Sequence, residues 1–197
     1  NIDGYLIEAD YTSTSTTGAS TDIGGTWAAD AQTYQHTYPT IPIVLHQVQT
    51  ANDTSWISTW VSRIGAQSLY PNLAGFQIGL NGAEVTASHG EERVGWIVMQ
   101  REAQGTTQST TGDINFETTR HDDLVEGYDD GNYTYSYSSV NSANAISFAS
   151  MQEMGGANGG WTSFSSQDAT SASVYIEEDQ VYDTERTHQA ETVGSVV

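Results

Sequence analysis

Short apolar runs, interrupted every few residues by Gly, Asn, Asp, Pro or Ser, set the rhythm of this chain. Residues 43–49, 76–80 and 94–99 are brief and rich in β-branched and aromatic side chains, which predicts strands. In Ser173-Val174-Tyr175-Ile176-Glu177 the apolar Val174 and Ile176 alternate with their neighbours, the two-residue period of a half-buried strand. Between Thr54 and Ile64, Trp56, Trp60 and Ile64 fall at helical spacing, but Ile57, Thr59 and Val61 also alternate. Trp161 occupies the corresponding region of the second half, and a strand is the better reading. Asp129-Asp130-Gly131-Asn132 stands between Tyr128 and Tyr133 and predicts a hairpin, because a tight turn needs positive φ.

The pattern repeats. Ile43–Gln49 lines up with Ile146–Gln152, Ala74–Val85 with Thr170–Val181, and His89–Gly95 with His188–Gly194, in the same order. The last pair carries His89-x-x-Glu92-x-Val94-Gly95 and His188-x-x-Glu191-x-Val193-Gly194. The expectation is an all-β chain of two tandem antiparallel β-sandwich domains related by internal duplication. Residues 11–103 would form the first and residues 104–197 the second, after an N-terminal strand over residues 1–10. Gln104–Gly112 reads as a polar interdomain connection, and Tyr11–Ala19 as an equally polar tract.

Composition narrows the class. The chain has 197 residues, 25 acidic against 5 basic, and a net charge of −20; all five basic residues are arginines. Such a surface repels phosphate backbones and anionic membranes, so nucleic acid is excluded as a partner. The longest apolar run, Ile41–Leu45, is interrupted by Pro42 and far too short for membrane insertion as a helix. With no cysteine, disulfides and thiol chemistry drop out. Thr and Ser, 25 and 21 residues, make up close to a quarter of the chain. Together these features predict an extracellular or cell-surface protein, or one from a salt-loving lineage. The absence of an initiator Met and of a basic-then-apolar leader reads as a processed chain or a fragment.

The order of an apolar strand ending in Val48-Gln49-Thr50, then Gly75–Leu80, then His89–Met99 resembles the tandem H-type lectin-like β-sandwich repeats of bacterial and archaeal secreted or surface proteins. That resemblance implies six-stranded antiparallel sandwiches, and a lectin-like role would make glycans the partners. No sugar-contacting residue carries over. Asp3–Ala9 reads like the closing strand of a repeat, compare Val94–Met99. Three closing strands then serve two repeat bodies. Either each sandwich uses such a strand at both ends, or Tyr5, Leu6 and Ile7 belong to an assembly strand donated to a neighbouring copy.

The candidate chemistry is sparse. His89/Glu92 and His188/Glu191 could ligate a metal or transfer protons, but their repetition favours a fold requirement. Glu177, Glu178, Asp179, Asp183 and Glu185, and separately Asp129 and Asp130, are oxygen-rich enough to hold Ca²⁺, though a solvated acidic face is the simpler reading. Asn52 and Asn132 begin N-glycosylation sequons. No nucleophile-elbow, zincin or P-loop motif is present, so no catalytic residue is expected. Trp27, Trp56, Trp60, Trp96 and Trp161 could stack on sugars, yet large aromatics in a sandwich more often fill its core. The expected function is a self-assembling extracellular structural subunit of a filament, sheath or surface layer; the alternative is a carbohydrate-binding module.

Overall fold

The computed structural model describes residues 4–20, 24–82, 84, 89–109, 112–140 and 143–197. The first half builds β1 (Ile7–Thr14), β2 (Thr17–Gly18), β3 (Asp30–Thr33), β4 (Ile43–Val48), β5 (Ser58–Ser62), β6 (Gly75–Asn81) and β7 (Glu92–Met99). The second builds β8 (Gln104–Ser109), β9 (Gly112–Val125), β10 (Tyr133–Ser136), β11 (Phe148–Met151), β12 (Trp161–Gln167), β13 (Ser171–Glu177) and β14 (Glu191–Val196). The chain is all-β, apart from one 3₁₀ turn over Tyr128–Asp130. Among the described residues no helix is long and apolar enough to cross a membrane.

In the first half, sheet β1–β7–β4 faces a sheet in which β6 pairs with β3, β5 and, in parallel, β2. Val44, Val94, Trp96 and Val98 from one sheet close on Val61, Phe76, Ile78 and Leu80 from the other. Each such fully buried side chain is worth about 1.5–3 kcal/mol relative to exposure. In the second half, β11–β14–β9–β8 faces β10–β13–β12 across Val125, Tyr135, Met151, Val174, Ile176 and Val193. Leaving β2 and β8 aside, the strand order is the same in both halves. The first, sixth and third strands form one sheet, and the second, fifth and fourth form the other.

Two expectations are corrected. Gln104–Gly112 is not a linker: Gln104–Ser109 is a strand paired antiparallel with β9, as its alternating Thr-rich sequence allows. The passage between halves is instead short and rigid, with Ala103 buried and its N–H donating to Thr118 Oγ1 at 2.9 Å. Asp129–Asn132 is no hairpin either. β9 and β10 lie in opposite sheets, so the segment must cross between layers about 10 Å apart. It does so through the 3₁₀ turn and Gly131, whose φ of 111° suits glycine.

Of the two alternatives for the N-terminal strand, the structure shows the first: β1 pairs with β7 of its own sandwich along its whole length, from Ile7↔Met99 to Thr14↔Glu92. Leu6 packs on the core of the first sandwich, while Tyr5 and Ile7 turn to the opposite face. β9 holds the matching place beside β14, so both sandwiches carry such a strand at each end of their sequence.

The two sandwiches meet along β4 and β5. Val44 N–H donates to Gln152 Oε1, and Gln152 Nε2 donates to Val44 O, both at 2.8 Å. Gln67 and Met154 exchange two further bonds, each 3.1 Å. Ile43, Met99, Ala103 and Phe116 share a small core across the junction, and Trp60 reaches from β5 into the core of the second sandwich.

Candidate functional site

The repeated motif is a pair of loop clasps. Glu92, buried at the start of β7, accepts the N–H groups of Asn52 and Asp53 at 2.7 and 2.9 Å and the Thr50 hydroxyl. The Thr50 hydroxyl bond, working against burial, holds its carboxyl below the usual range. Glu191, buried at the start of β14, accepts the N–H groups of Gly155 and Gly156 at 2.9 and 2.7 Å. Each glutamate thus ties down the loop that follows the third strand of its sandwich. A second pair sits on the first strands. Glu8 accepts the N–H groups of Gln35 and His36, and Glu117 those of Ser138 and Ser139. Sequence reasoning missed this pair, because Glu8 and Glu117 share no surrounding motif.

Around His188 the clasp gains charge. Burial pushes this imidazole down, but Glu178 on Nδ1 and Glu191 on Nε2, the latter at 2.9 Å, outweigh it and raise it to about 9. His188 is therefore an imidazolium donating from both nitrogens. Beside it, burial and the nearby Glu191 push Glu153 up to about 7, although the Thr192 hydroxyl pulls the other way. Glu153 takes the place that Thr50 holds in the first half: Thr192 N–H donates to Glu153 Oε1, as Arg93 N–H donates to Thr50 Oγ1. Among the described residues, His89 makes a bond from Nδ1 to Gly90 O at 2.9 Å and has no carboxylate on its ring nitrogens.

The acidic loop is largely engaged with the protein. Glu177 forms a two-pronged pair with Arg186, which lies 3.5 Å over the Tyr128 ring. Asp179 and Asp183 each accept a backbone N–H two residues on, from Val181 and Glu185. Asp130 accepts His188 N–H at 3.0 Å, and Glu185 accepts Asn158 Nδ2 at 3.2 Å. Asp129 is exposed. Among the described residues no group of three or more His, Cys, Asp or Glu converges as ligands of one ion would. Asn52 and Asn132, the sequon residues, are both exposed, and Asn52 donates to Glu91 O.

Between the sandwiches lies a cleft of about 430 Å³ that the sequence did not announce. Trp56, 53% exposed, and Trp161 stand at its mouth with ring centroids 5.1 Å apart. His46 lines it, and burial pushes that imidazole down to about 4, so it is neutral. The Met151 carbonyl can only accept, so His46 Nε2 carries the proton, at 3.0 Å, and Nδ1 accepts from the Thr59 hydroxyl at 2.8 Å. No Asp, Glu or Arg is among the described residues lining the cleft, in a chain with 30 such residues. Trp27 and Trp60 pack on each other at 5.2 Å, and Trp96 is core, so two of the five tryptophans face this opening.

No protein-family model matches the chain, and no curated protein and no solved structure is detectably similar to it. The likeness to H-type lectin-like repeats rests on the sequence motifs alone.

Proposed function

We propose that the chain is a structural subunit that works outside the cell by associating with copies of itself. The observation that carries this reading is the employment of its buried ionisable groups. Glu8, Glu92, Glu191 and His188 all hold loops in place, and the half-buried Glu117 does the same. The same investment in rigidity joins the two sandwiches through the Gln152–Val44 bonds and a shared core. A stiff, loop-locked double sandwich suits a building block. The Thr/Ser-rich, lysine-free composition and the two exposed sequons suit an exterior location. The matched strand orders and matched clasps support descent of both halves from one unit. Ca²⁺ or salt would relieve the self-repulsion of −20 and favour association. Sedimentation and negative-stain microscopy over a concentration series, with and without millimolar Ca²⁺, are expected to show ordered polymers. A chain that stays monomeric throughout overturns the reading.

A second reading, a carbohydrate-binding module, is supported by the tryptophan-walled cleft. Exposed indole faces beside Gln47, Ser58 and a neutral His46, with no formal charge, suit an uncharged ligand with both C–H faces and hydroxyls. Retention on immobilised neutral glycans, lost in Trp56→Ala and Trp161→Ala, is the expected result; no retention of the parent chain on any such glycan removes this reading.

A further inference from the structure

The second sandwich carries an open apolar groove of about 520 Å³ where β9, β14 and the segment leading into β11 converge. Ile114, Ile146 and Phe148 stand 55, 66 and 60% exposed along it. Ladder register gives each a counterpart in the first sandwich. Gly95 lies opposite Tyr11 and Gln47, and Gly194 opposite Arg120 and Ser150. Stepping back along the strands from these positions, Ile114 matches Tyr5, Ile146 matches Ile43, and Phe148 matches Leu45.

On the first sandwich this face is covered. Ile43 is fully buried, and Tyr5, Ile7 and Leu45 pack with it against Phe116 and Val196 of the second sandwich. The cover is the outer side of another sandwich's β9–β14 sheet. One copy of this face is therefore already a sandwich-to-sandwich interface, whereas the matching face is covered only at its Phe116 and Val196 end, leaving Ile114, Ile146 and Phe148 open.

Charge indicates what covers it. At −20, two copies repel wherever acidic surfaces meet. Among the described residues lining the groove, Asp113 alone is charged. Here two copies can approach with little repulsion while apolar surface is removed from water. Resting on the self-association reading, we infer that a second copy of this chain covers the groove by presenting the same face about a two-fold axis. Ile114, Ile146 and Phe148 of the two protomers then bury one another, as isologous contacts do.

The absence of cysteine makes the test clean, because one introduced thiol is unique. Wild type is expected to sediment as a dimer or larger species, and Phe148→Asp and Ile146→Asp as monomers with unchanged melting temperature. Ile146→Cys or Phe148→Cys should give a covalent dimer under mild oxidation. Wild-type association that persists in both aspartate variants overturns this docking face and leaves the self-association reading standing. A wild type that is monomeric at millimolar concentration overturns both. Dissociation by aspartate without cross-linking by either cysteine identifies a head-to-tail contact and overturns the two-fold arrangement.

Discussion

A methyl group added at Gly194 would lie 2.8 Å from Cβ of Ile43, which is fully buried and cannot retreat. At Gly95 the added carbon would instead meet the end of the Gln49 side chain, which is exposed and free to swing away. The two glycines look identical in the sequence, each closing the same His-x-x-Glu-x-Val-Gly motif, yet their surroundings differ. Gly194→Ala is expected to cost about 1–3 kcal/mol through overpacking, and Gly95→Ala clearly less; paired denaturant melts decide it. The repeated Gln49 and Gln152 were visible as a sequence match, but their task was not. Gln152 is fully buried between the sandwiches and Gln49 faces solvent, a difference that only the docking of the halves creates.

At the scale of elements, β1 contributes eight ladder pairs and the buried Glu8, whose carboxylate ties residues 35 and 36. A chain lacking residues 1–14 should therefore lose the cooperative unfolding of the first sandwich, seen as a broadened or missing calorimetric transition; a full-size transition would count against β1 as an integral strand. Glu191→Ala leaves His188 with Glu178 as its one carboxylate and deprives two backbone N–H groups of their acceptor, and a loss of about 2–4 kcal/mol is expected in chemical denaturation. Strand content and the repetition of the His-x-x-Glu motif were legible in the sequence, because both rest on local period and spacing. The hairpin at Asp129–Asn132 and the linker at Gln104–Gly112 were misread for the opposite reason. Turn chemistry and polarity are local, whereas the layer a strand joins is decided by distant partners. The tryptophan cleft was hidden likewise, since Trp56 and Trp161 meet only when the sandwiches dock.

For the molecule as a whole, four buried groups with large shifts pull the response to pH in opposite directions. His46 and His121 are each pushed down by burial to about 4, so the stability they confer is complete above pH 6.5 and is lost as pH falls through 4. His188, raised to about 9, confers stability that is complete below pH 6.5 and is lost as pH rises through 9. Glu153, raised to about 7, adds a penalty that grows as pH rises from its ordinary 4.5 and is complete above 7. Taken by themselves these four groups place the maximum near pH 6.5, and Glu153→Gln should raise stability at pH 8 by up to about 3 kcal/mol while leaving pH 5 nearly unchanged. Thermal melts across pH 4–10 test both; a flat profile for the variant pair would show that Glu153 keeps no proton. The Gln152–Val44 bonds reach further still. Val44 lies on the outer margin of its sheet, where free N–H and C=O groups would invite a stray chain to add on. A single side-chain amide occupies both groups, and the His46 N–H donates to Ser150 Oγ, so this stretch of the margin is blocked to a stray chain. Truncating Gln152 would then do more than loosen a joint: it would uncover a strand edge on which another chain can add.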